Sequence, residues 1–131
     1  LEGLLPLLQV ALPQTPILPR LFGEVDPGEV AEALLPELGQ KDLVVASSDL
    51  SHYHPDPVAR KLDAKTLKRA LALDAEGVAQ GEACGRLPWG TLTALARALG
   101  WKPRLLAYAT SAEAGGGRER VVGYGALAYV G

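Results

Sequence analysis

The sequence predicts an α/β protein, a three-layer sandwich with a mixed, mainly parallel sheet. Two observations support this prediction. Short apolar runs of strand character alternate along the chain with segments of helical periodicity, and the boundaries between them are rich in turn-forming residues, with 15 glycines and 10 prolines in 131 residues. A chain of this length is expected to build one hydrophobic core, so residues 1–131 are predicted to form a single domain.

The N-terminal part is predicted to contain two helices and two strands. In chain order these are a helix over 1–12, a strand over 17–22, a helix that begins at 27 and a strand over 43–46. The second helix is predicted because Asp26, Pro27 and Glu29 have the spacing of an N-cap acid, a first-turn proline and an acidic residue that supports the cap. The last strand is a continuous apolar run, which is typical of a strand buried on both faces.

The C-terminal part is predicted to contain three helices and two strands. The helices begin at Asp56 or Pro57, at Asp74 and at Pro88, and the strands cover 104–110 and 121–130. The third helix has the clearest amphipathic pattern, and Gly100 is suited to end it in a left-handed conformation. The two strands are separated by a glycine-rich loop, which favours antiparallel pairing between them. Gly123 indicates a closely packed strand rather than a phosphate-binding loop.

The composition excludes several classes of protein. Apolar residues make up 48% of the chain, charged residues 21%, and the formal net charge is -2. This balance argues against disorder and against binding of nucleic acid, because contacts with the phosphate backbone require a basic surface. No uncharged apolar run approaches the roughly 18 residues of a membrane-spanning helix, and the leucine-rich start lacks the basic segment of a signal peptide. We therefore expect a soluble, cytoplasmic protein without membrane contacts.

The chain has one cysteine and no methionine. Cys84 cannot form an internal disulfide, so packing is expected to stabilise the fold. A scarcity of thermolabile residues together with proline-rich loops is typical of heat-adapted proteins, and we expect a thermophile-like sequence. Because no methionine begins the chain, we also expect further residues ahead of Leu1.

The segment that follows the 43–46 strand is the strongest candidate site, because ligands of open α/β sheets bind beyond the carboxyl ends of the strands. Residues 47–54 include a carboxylate, three hydroxyls, two imidazoles and a phenol, a combination suited to proton transfer. The candidate catalytic residues are Asp49 and His52, and the further candidate pocket residues are Ser48, Tyr53 and His54. The alternative is a polar turn in which the serine and aspartate side chains cap backbone donors.

Cys84 is the candidate metal ligand. It lies in a turn ahead of a helix and close to Arg86 in the sequence, conditions that favour the thiolate, although a small buried apolar residue is the alternative. His52 and His54 could join Cys84 at one ion only if the chain bends between them, and the alternative for both is a surface or capping role. Imidazole and thiolate suit iron, copper and zinc alike, so the residues do not select one divalent metal.

Four ordered motifs resemble those of the Memo family. They are SSDLSHY at 47–53, ACG at 83–85 with Pro88 after it, LAYATS at 106–111 and VVGY at 121–124. Residues 1–9 also resemble the family segment that follows a His-Ser pair. The resemblance covers essentially the whole chain and implies that it corresponds to the C-terminal half of a larger Memo-like α/β domain.

The resemblance carries expectations about fold and site. The Memo family is similar in fold to the catalytic subunit of class III extradiol dioxygenases, which are non-haem iron enzymes, so part of that fold is implied. Cys84 corresponds to the family's metal-facing cysteine and His52 to a pocket histidine with an acid/base or supporting role, with Asp49 beside it. The family's two metal-ligating histidines belong to its N-terminal half, so no bound metal is assured for this chain alone. His54 departs from the family pattern, in which a small residue is common.

Two functions remain open from the sequence. The first is a Memo-like protein with a metal-dependent, dioxygenase-like pocket and an unknown substrate, in which iron, copper or zinc is the expected metal. The second is a non-catalytic module that binds a protein or peptide on the same fold. The expected partners are a small molecule or peptide, a second copy of the chain, or the N-terminal half of a Memo-like domain.

Overall fold

A three-stranded antiparallel sheet lies at the centre of the structure, a computed structural model that describes residues 3–131. The strands are β1 (His52–His54), β2 (Lys102–Thr110) and β3 (Val121–Val130), in the spatial order β1-β3-β2. The mixed α/β composition is confirmed, but the prediction of a mainly parallel sheet is wrong. Parallel neighbours need a long crossover connection, whereas β2 and β3 are joined by a short one and form a hairpin.

Two predicted strands are absent. Residues 17–22 and 43–46 are extended or irregular but belong to no sheet. The side chains of the second run were expected to be buried on both faces, yet Leu43 is 69% exposed. An apolar run becomes a strand only where a neighbouring strand accepts and donates the ladder hydrogen bonds, and the described sheet does not reach this segment.

Strand β1 was expected to be part of a loop. It pairs with β3, and the contact is extended on its N-terminal side, where the Leu50 N–H donates to the Gly123 carbonyl at 2.9 Å and the Gly123 N–H donates to the Ser51 carbonyl at 3.0 Å. This pairing joins segments far apart in the chain, so the local residue pattern of 47–54 does not reveal it.

Residues 3–131 contain five α-helices. They are α1 (Leu5–Ala11), α2 (Pro27–Leu34), α3 (Asp56–Leu71), α4 (Ala75–Ala79) and α5 (Arg86–Leu99), with 3₁₀ turns at Leu35–Glu37 and Ser111–Ala114. Most predicted boundaries are confirmed: the Asp26 carboxylate accepts the Gly28 N–H at 3.0 Å, and Gly100 ends α5 with a φ of 74°. The first two residues of the predicted N-terminal helix lie outside the described residues. Within 3–131 no helix is long and apolar enough to cross a bilayer.

One face of the sheet carries the core. Helix α3 packs against β2 and β3, and Trp89 of α5 joins the same cluster. The members of this cluster are Leu50, Leu67, Ala70, Val78, Ala83 and Trp89, with Ala46, Tyr108, Leu127 and Tyr129 packed against them. A second cluster joins α2, α4 and α5 through Ala31, Ala75, Ala94 and Leu95.

The opposite face of the sheet is open. Leu106, Tyr124 and Val130 are exposed large apolar side chains on the β2–β3 hairpin. No helix of the described part of the chain covers them, so the third layer of the predicted sandwich is not seen there. The extradiol dioxygenase-like fold is accordingly not confirmed.

Candidate functional site

Asp49 connects the two sequence segments that carry the candidate site residues. Its backbone N–H donates to the Cys84 Sγ at 3.2 Å, and its Oδ2 lies 3.3 Å from the His52 Nε2. Asp49 and Cys84 are 35 positions apart in the sequence, so this contact joins two distant segments of the chain. Cys84 is exposed, so the alternative of a small buried apolar residue does not hold.

Ser48 and Gly85 hold the two segments together. The Ser48 hydroxyl accepts the Gly85 N–H at 2.9 Å and donates to the Asp49 carbonyl at 2.6 Å. A Cβ on residue 85 would lie 2.7 Å from the Ser48 Cβ and would also overlap the Ser47 carbonyl, so only glycine allows this approach. Ser48 thus caps a backbone donor that lies 37 residues away rather than in a local turn, and this contact holds the Cys84 segment next to Asp49.

The backbone of β1 is kinked at Tyr53. Tyr53 has a φ of 64°, in the left-handed region that bulky residues rarely adopt, and the register with β3 shifts between His52 and His54. Such a bulge redirects the side chains on either side of it. The Tyr53 ring is 63% exposed, contacts the edge of the His52 ring at 5.7 Å between centroids, and lies 5.2 Å from the Arg120 guanidinium carbon.

The kink sends the two histidines to different partners. The His54 Nε2 lies 2.8 Å from the Glu82 Oε2, whereas His52 faces Asp49. Among residues 3–131 no group of three or more histidine, cysteine, aspartate or glutamate side chains is arranged to hold a metal ion. The proposed self-contained set of His52, His54 and Cys84 is therefore not brought together as such a group. The donors described here fall short of the three or four protein ligands of a typical zinc site.

A small cleft of about 70 Å³ opens beside Asp49. Its walls are mainly apolar and are formed by Ala46, Ser48, Asp49, Leu50, Trp89, Leu92, Gly125, Leu127 and Tyr129. Within this lining the Trp89 indole N–H donates to the Tyr129 hydroxyl at 3.0 Å, and burial raises the pKa of that phenol. Ser48 and Asp49 contribute polar groups to the lining, and the polar groups of Trp89 and Tyr129 are hydrogen-bonded to each other. The size of the cleft suits one side chain rather than a large ligand.

A buried carboxylate anchors the backbone next to His52. Asp63 of α3 is 1% exposed and accepts the Ser51 N–H at 2.9 Å and the Tyr108 hydroxyl at 2.6 Å. Burial and the adjacent Asp63 raise the pKa of Tyr108. A Cβ on residue 123 would overlap the Asp63 carboxylate, which explains the glycine in β3 and agrees with the closely packed strand predicted there.

A second acidic group ties the start of α3 to the end of β2. The buried Asp56 carboxylate accepts the Thr110 hydroxyl at 2.6 Å and the Arg60 Nε–H at 2.9 Å. The Thr110 hydrogen bond, followed by that of Arg60, lowers the pKa of Asp56. Arg60 also pairs with Glu113. These contacts hold the start of α3 in place and, because Asp56 follows His54 by two residues, they also restrain the end of β1.

Sequence reasoning missed several of these contacts. Asp63, Glu82 and the stacking of Arg120 on Tyr53 were not predicted, because each depends on pairing between distant segments. Only Gly123 offered a signal, as a glycine within an otherwise apolar strand. Arg86, expected beside Cys84, donates instead to the Ala79 carbonyl at 2.8 Å.

Comparison with known proteins supports the resemblance of the motifs. A family model described as "Memo-like protein" matches residues 1–128. MEMO1 family proteins of Pyrobaculum aerophilum and Sulfolobus acidocaldarius are 33% and 36% identical to this chain, over 78% and 85% of it and 39% and 47% of their own lengths. One from Methanosarcina barkeri is 33% identical over 97% of the chain and 53% of its own length.

The chain spans about half the length, or less, of these relatives. The match to the family model nevertheless extends over nearly all of its residues, including every segment that forms the candidate site. The chain belongs to the Memo-like family.

Proposed function

We propose that this chain supplies a proton-transfer half-site of a Memo-like protein, with His52 as the acid/base group, Asp49 as the group that orients it and Cys84 as a metal-facing thiolate. The observation that supports the proposal is the double role of Asp49, whose backbone contacts Cys84 and whose carboxylate contacts His52. The substrate is left open.

The geometry suggests which nitrogen of His52 exchanges the proton. With the Nε2–H donated to the Asp49 Oδ2, the lone pair lies on Nδ1, which can then accept a proton. The Asp49 carboxylate stabilises the imidazolium that results, because it keeps an anionic acceptor at Nε2 in both protonation states. His52 and Asp49 thus form an acid/base pair that does not require any other side chain of this chain.

The metal part of the proposal needs ligands beyond the described residues. Iron, copper or zinc would each accept the Cys84 thiolate, but among residues 3–131 Cys84 belongs to no group of three or more side chains arranged to hold a metal ion. A single thiolate with one nearby imidazole is expected to bind a metal weakly. No step of the proton transfer outlined above depends on a bound metal.

We further propose that the chain is part of a larger Memo-like domain. The relatives are about twice as long as the matched segment or longer. The open face of the hairpin and the exposed side chains of Leu43 and Val45 are apolar surfaces of the kind that pack against another layer. In such a domain the additional residues would cover these surfaces and supply the missing metal ligands.

Metal titration of three proteins tests the role of Cys84. Fe(II), Cu(II) and Zn(II) are added separately to the 131-residue chain, to Cys84→Ser and to His54→Gln, and stoichiometry and affinity are measured by calorimetry. We expect weak binding by the parent chain, loss of binding in Cys84→Ser, and unchanged binding by His54→Gln because the glutamine amide can still donate to Glu82. Equal stoichiometry and affinity in the parent and Cys84→Ser would exclude Cys84 as a ligand.

The second candidate function is a non-catalytic module that binds a peptide side chain. The size of the cleft beside Asp49 favours it, because about 70 Å³ is well below the volume of a typical small-molecule pocket. Its apolar walls fit an aliphatic side chain, and the Ser48–Asp49 rim can accept or donate hydrogen bonds to a peptide backbone.

Peptide binding with and without chelator separates the two functions. A panel of short peptides with central leucine, valine or alanine is titrated into the chain in the presence and absence of EDTA. The module predicts affinity that depends on the central side chain, falls in Leu92→Trp because the cleft is filled, and is unaffected by EDTA or by His52→Ala. Binding that requires metal, or no preference among the peptides, contradicts it.

A further inference from the structure

We infer that His54 and Glu82 are a positioning pair that holds the Cys84 turn against β1. The inference rests on the proposed function in one respect, namely that the position of Cys84 matters to the site. It concerns a residue for which the sequence suggested a ligand role and a glutamate that sequence reasoning did not single out.

His54 and Glu82 are within hydrogen-bonding distance of each other. The His54 Nε2 and the Glu82 Oε2 are 2.8 Å apart, within the normal range for a hydrogen bond between an imidazole and a carboxylate. Glu82 precedes Cys84 by two residues, and Ala83 between them is buried. The contact therefore attaches the turn to β1 from one side.

The same turn is also attached on its other side, to the segment that contains Ser48 and Asp49. Gly85 is attached to Ser48, and the Cys84 Sγ accepts the Asp49 N–H. The turn is thus held between the 48–49 segment and β1. Both of these belong to the stretch that also carries His52, so the two attachments fix the sulfur relative to the Asp49–His52 pair.

The kink at Tyr53 allows His52 and His54 to contact different partners. In a regular strand His52 and His54 would lie on one face and would reach the same surroundings. Tyr53 adopts a φ of 64° with a register shift, which separates the directions of the two histidines. The bulge therefore lets one short strand contact Asp49 with its first residue and Glu82 with its last.

The strength of the pair is limited by solvent. The His54 and Glu82 side chains are 33% and 53% exposed, and exposed pairs of this kind typically contribute less than about 1 kcal/mol. That is too little to decide global stability. It is enough to change the local opening of the 82–85 turn about two- to fivefold.

Amide hydrogen exchange in the metal-free 131-residue chain tests the inference. The reporters are the Asp49 N–H, which is bonded to Cys84, and the Gly85 N–H, which is bonded to Ser48. We expect His54→Ala and Glu82→Ala each to speed exchange at both reporters about two- to fivefold. Exchange at Leu95 in the core and the melting temperature are expected to stay unchanged.

Two comparisons make the test specific to the pair. In the double variant the exchange rates should equal those of either single variant, because removing one partner already removes the contact. Glu82→Gln keeps an oxygen acceptor and should restore parent rates. Glu76→Ala, which removes a similarly exposed partner of Arg97, should leave both reporters unaffected.

The inference is overturned if either single variant leaves the reporters unchanged, if the two effects multiply in the double variant, or if Glu82→Gln behaves like Glu82→Ala. Because the chain is metal-free throughout, these results do not depend on metal binding. A failed metal titration with Cys84→Ser and a failed exchange experiment are therefore distinguishable outcomes.

Discussion

Asp49 and Asp63 have the same side chain but differ in burial and in role. Asp63 is 1% exposed and has two donors, the Ser51 N–H and the Tyr108 hydroxyl. The Asp49 side chain is 43% exposed and faces the His52 ring. The buried Asp63 carboxylate stabilises the fold through its two hydrogen bonds. The solvent-exposed Asp49 carboxylate contacts the His52 ring at the candidate site.

The two carboxylates are also connected. Asp63 fixes the backbone of Ser51, which directly precedes His52, and Asp49 meets the His52 ring from the other side. The buried group therefore sets the position of the residue with which the exposed group interacts. We expect changes at the buried carboxylate to act on stability first and changes at the exposed one to act on the site.

The largest effect is expected for Gly123→Ala. The added Cβ would overlap the Asp63 carboxylate and would lie 3.2 Å from the Leu50 Cβ, so the buried hydrogen bonds must break or β3 must shift. We predict a loss of about 3 kcal/mol in the free energy of unfolding, measured by urea denaturation. Gly117→Ala is the matched control, since no atom lies within 4 Å of the new Cβ, and it should change stability by less than about 0.5 kcal/mol. Equal effects would contradict the close approach at Gly123.

Asp63→Asn should come next. The amide cannot accept both donors as the carboxylate does, so one buried polar group loses its partner, at a cost of about 2 kcal/mol. Tyr108→Phe removes only the hydroxyl and should cost about 1 kcal/mol. If Tyr108→Phe is the more destabilising of the two by urea denaturation, Asp63 is not the anchor described here.

The pH dependence of stability tests the role of a second buried carboxylate, that of Asp56. Its pKa is lowered in the folded state from the ordinary value of 3.8, mainly by the Thr110 hydrogen bond. A lowered pKa means that this carboxylate stabilises the fold above its unfolded-state pKa, and that the contribution is lost as the pH falls through the folded-state pKa. Thr110→Val should therefore reduce stability at pH 7 and flatten its decline below about pH 4. A parallel decline in both proteins would show that the hydrogen bond does not act on Asp56.

The smallest change in stability is expected for Asp49→Asn. An exposed aspartate–histidine contact contributes less than about 1 kcal/mol, so the unfolding curve should barely move. The ring signals of His52 in NMR spectra should nevertheless shift, because the anionic acceptor at Nε2 is lost. Those of His54, which faces Glu82, should not move. Shifts of equal size at both rings would contradict the separation of the two histidines by the Tyr53 kink.

Helix positions were largely predictable because their signals are local. The Asp26 and Asp74 caps, the start of α3 at Asp56 and the end of α5 at Gly100 each depend on residues within one or two turns of one another. The hairpin was predictable for the same reason, since β2 and β3 follow each other in the chain. The run at 43–46 was not, because apolarity alone does not specify a partner strand.

The candidate site was predictable in part. A polar segment at 47–54 and a lone cysteine suggested Asp49, His52 and Cys84, and the structure brings Asp49 into contact with both of the others. What each residue contacts could not be predicted. His54 was a candidate pocket residue that could share a metal with His52 and Cys84 or have a surface or capping role, and the left-handed Tyr53 between the two histidines places it beside Glu82.

The sequence by itself determined the helices, the hairpin, membership of the Memo-like family and the chemical types of residue in the site, because these depend on short-range patterns and on ordered motifs. Only the tertiary structure decided that Ser48 caps Gly85, that the buried Asp63 accepts the Ser51 N–H and that β1 pairs with β3. These contacts join residues that are distant in the chain, and a hydrogen bond across such a distance forms only once the core has brought its two groups together.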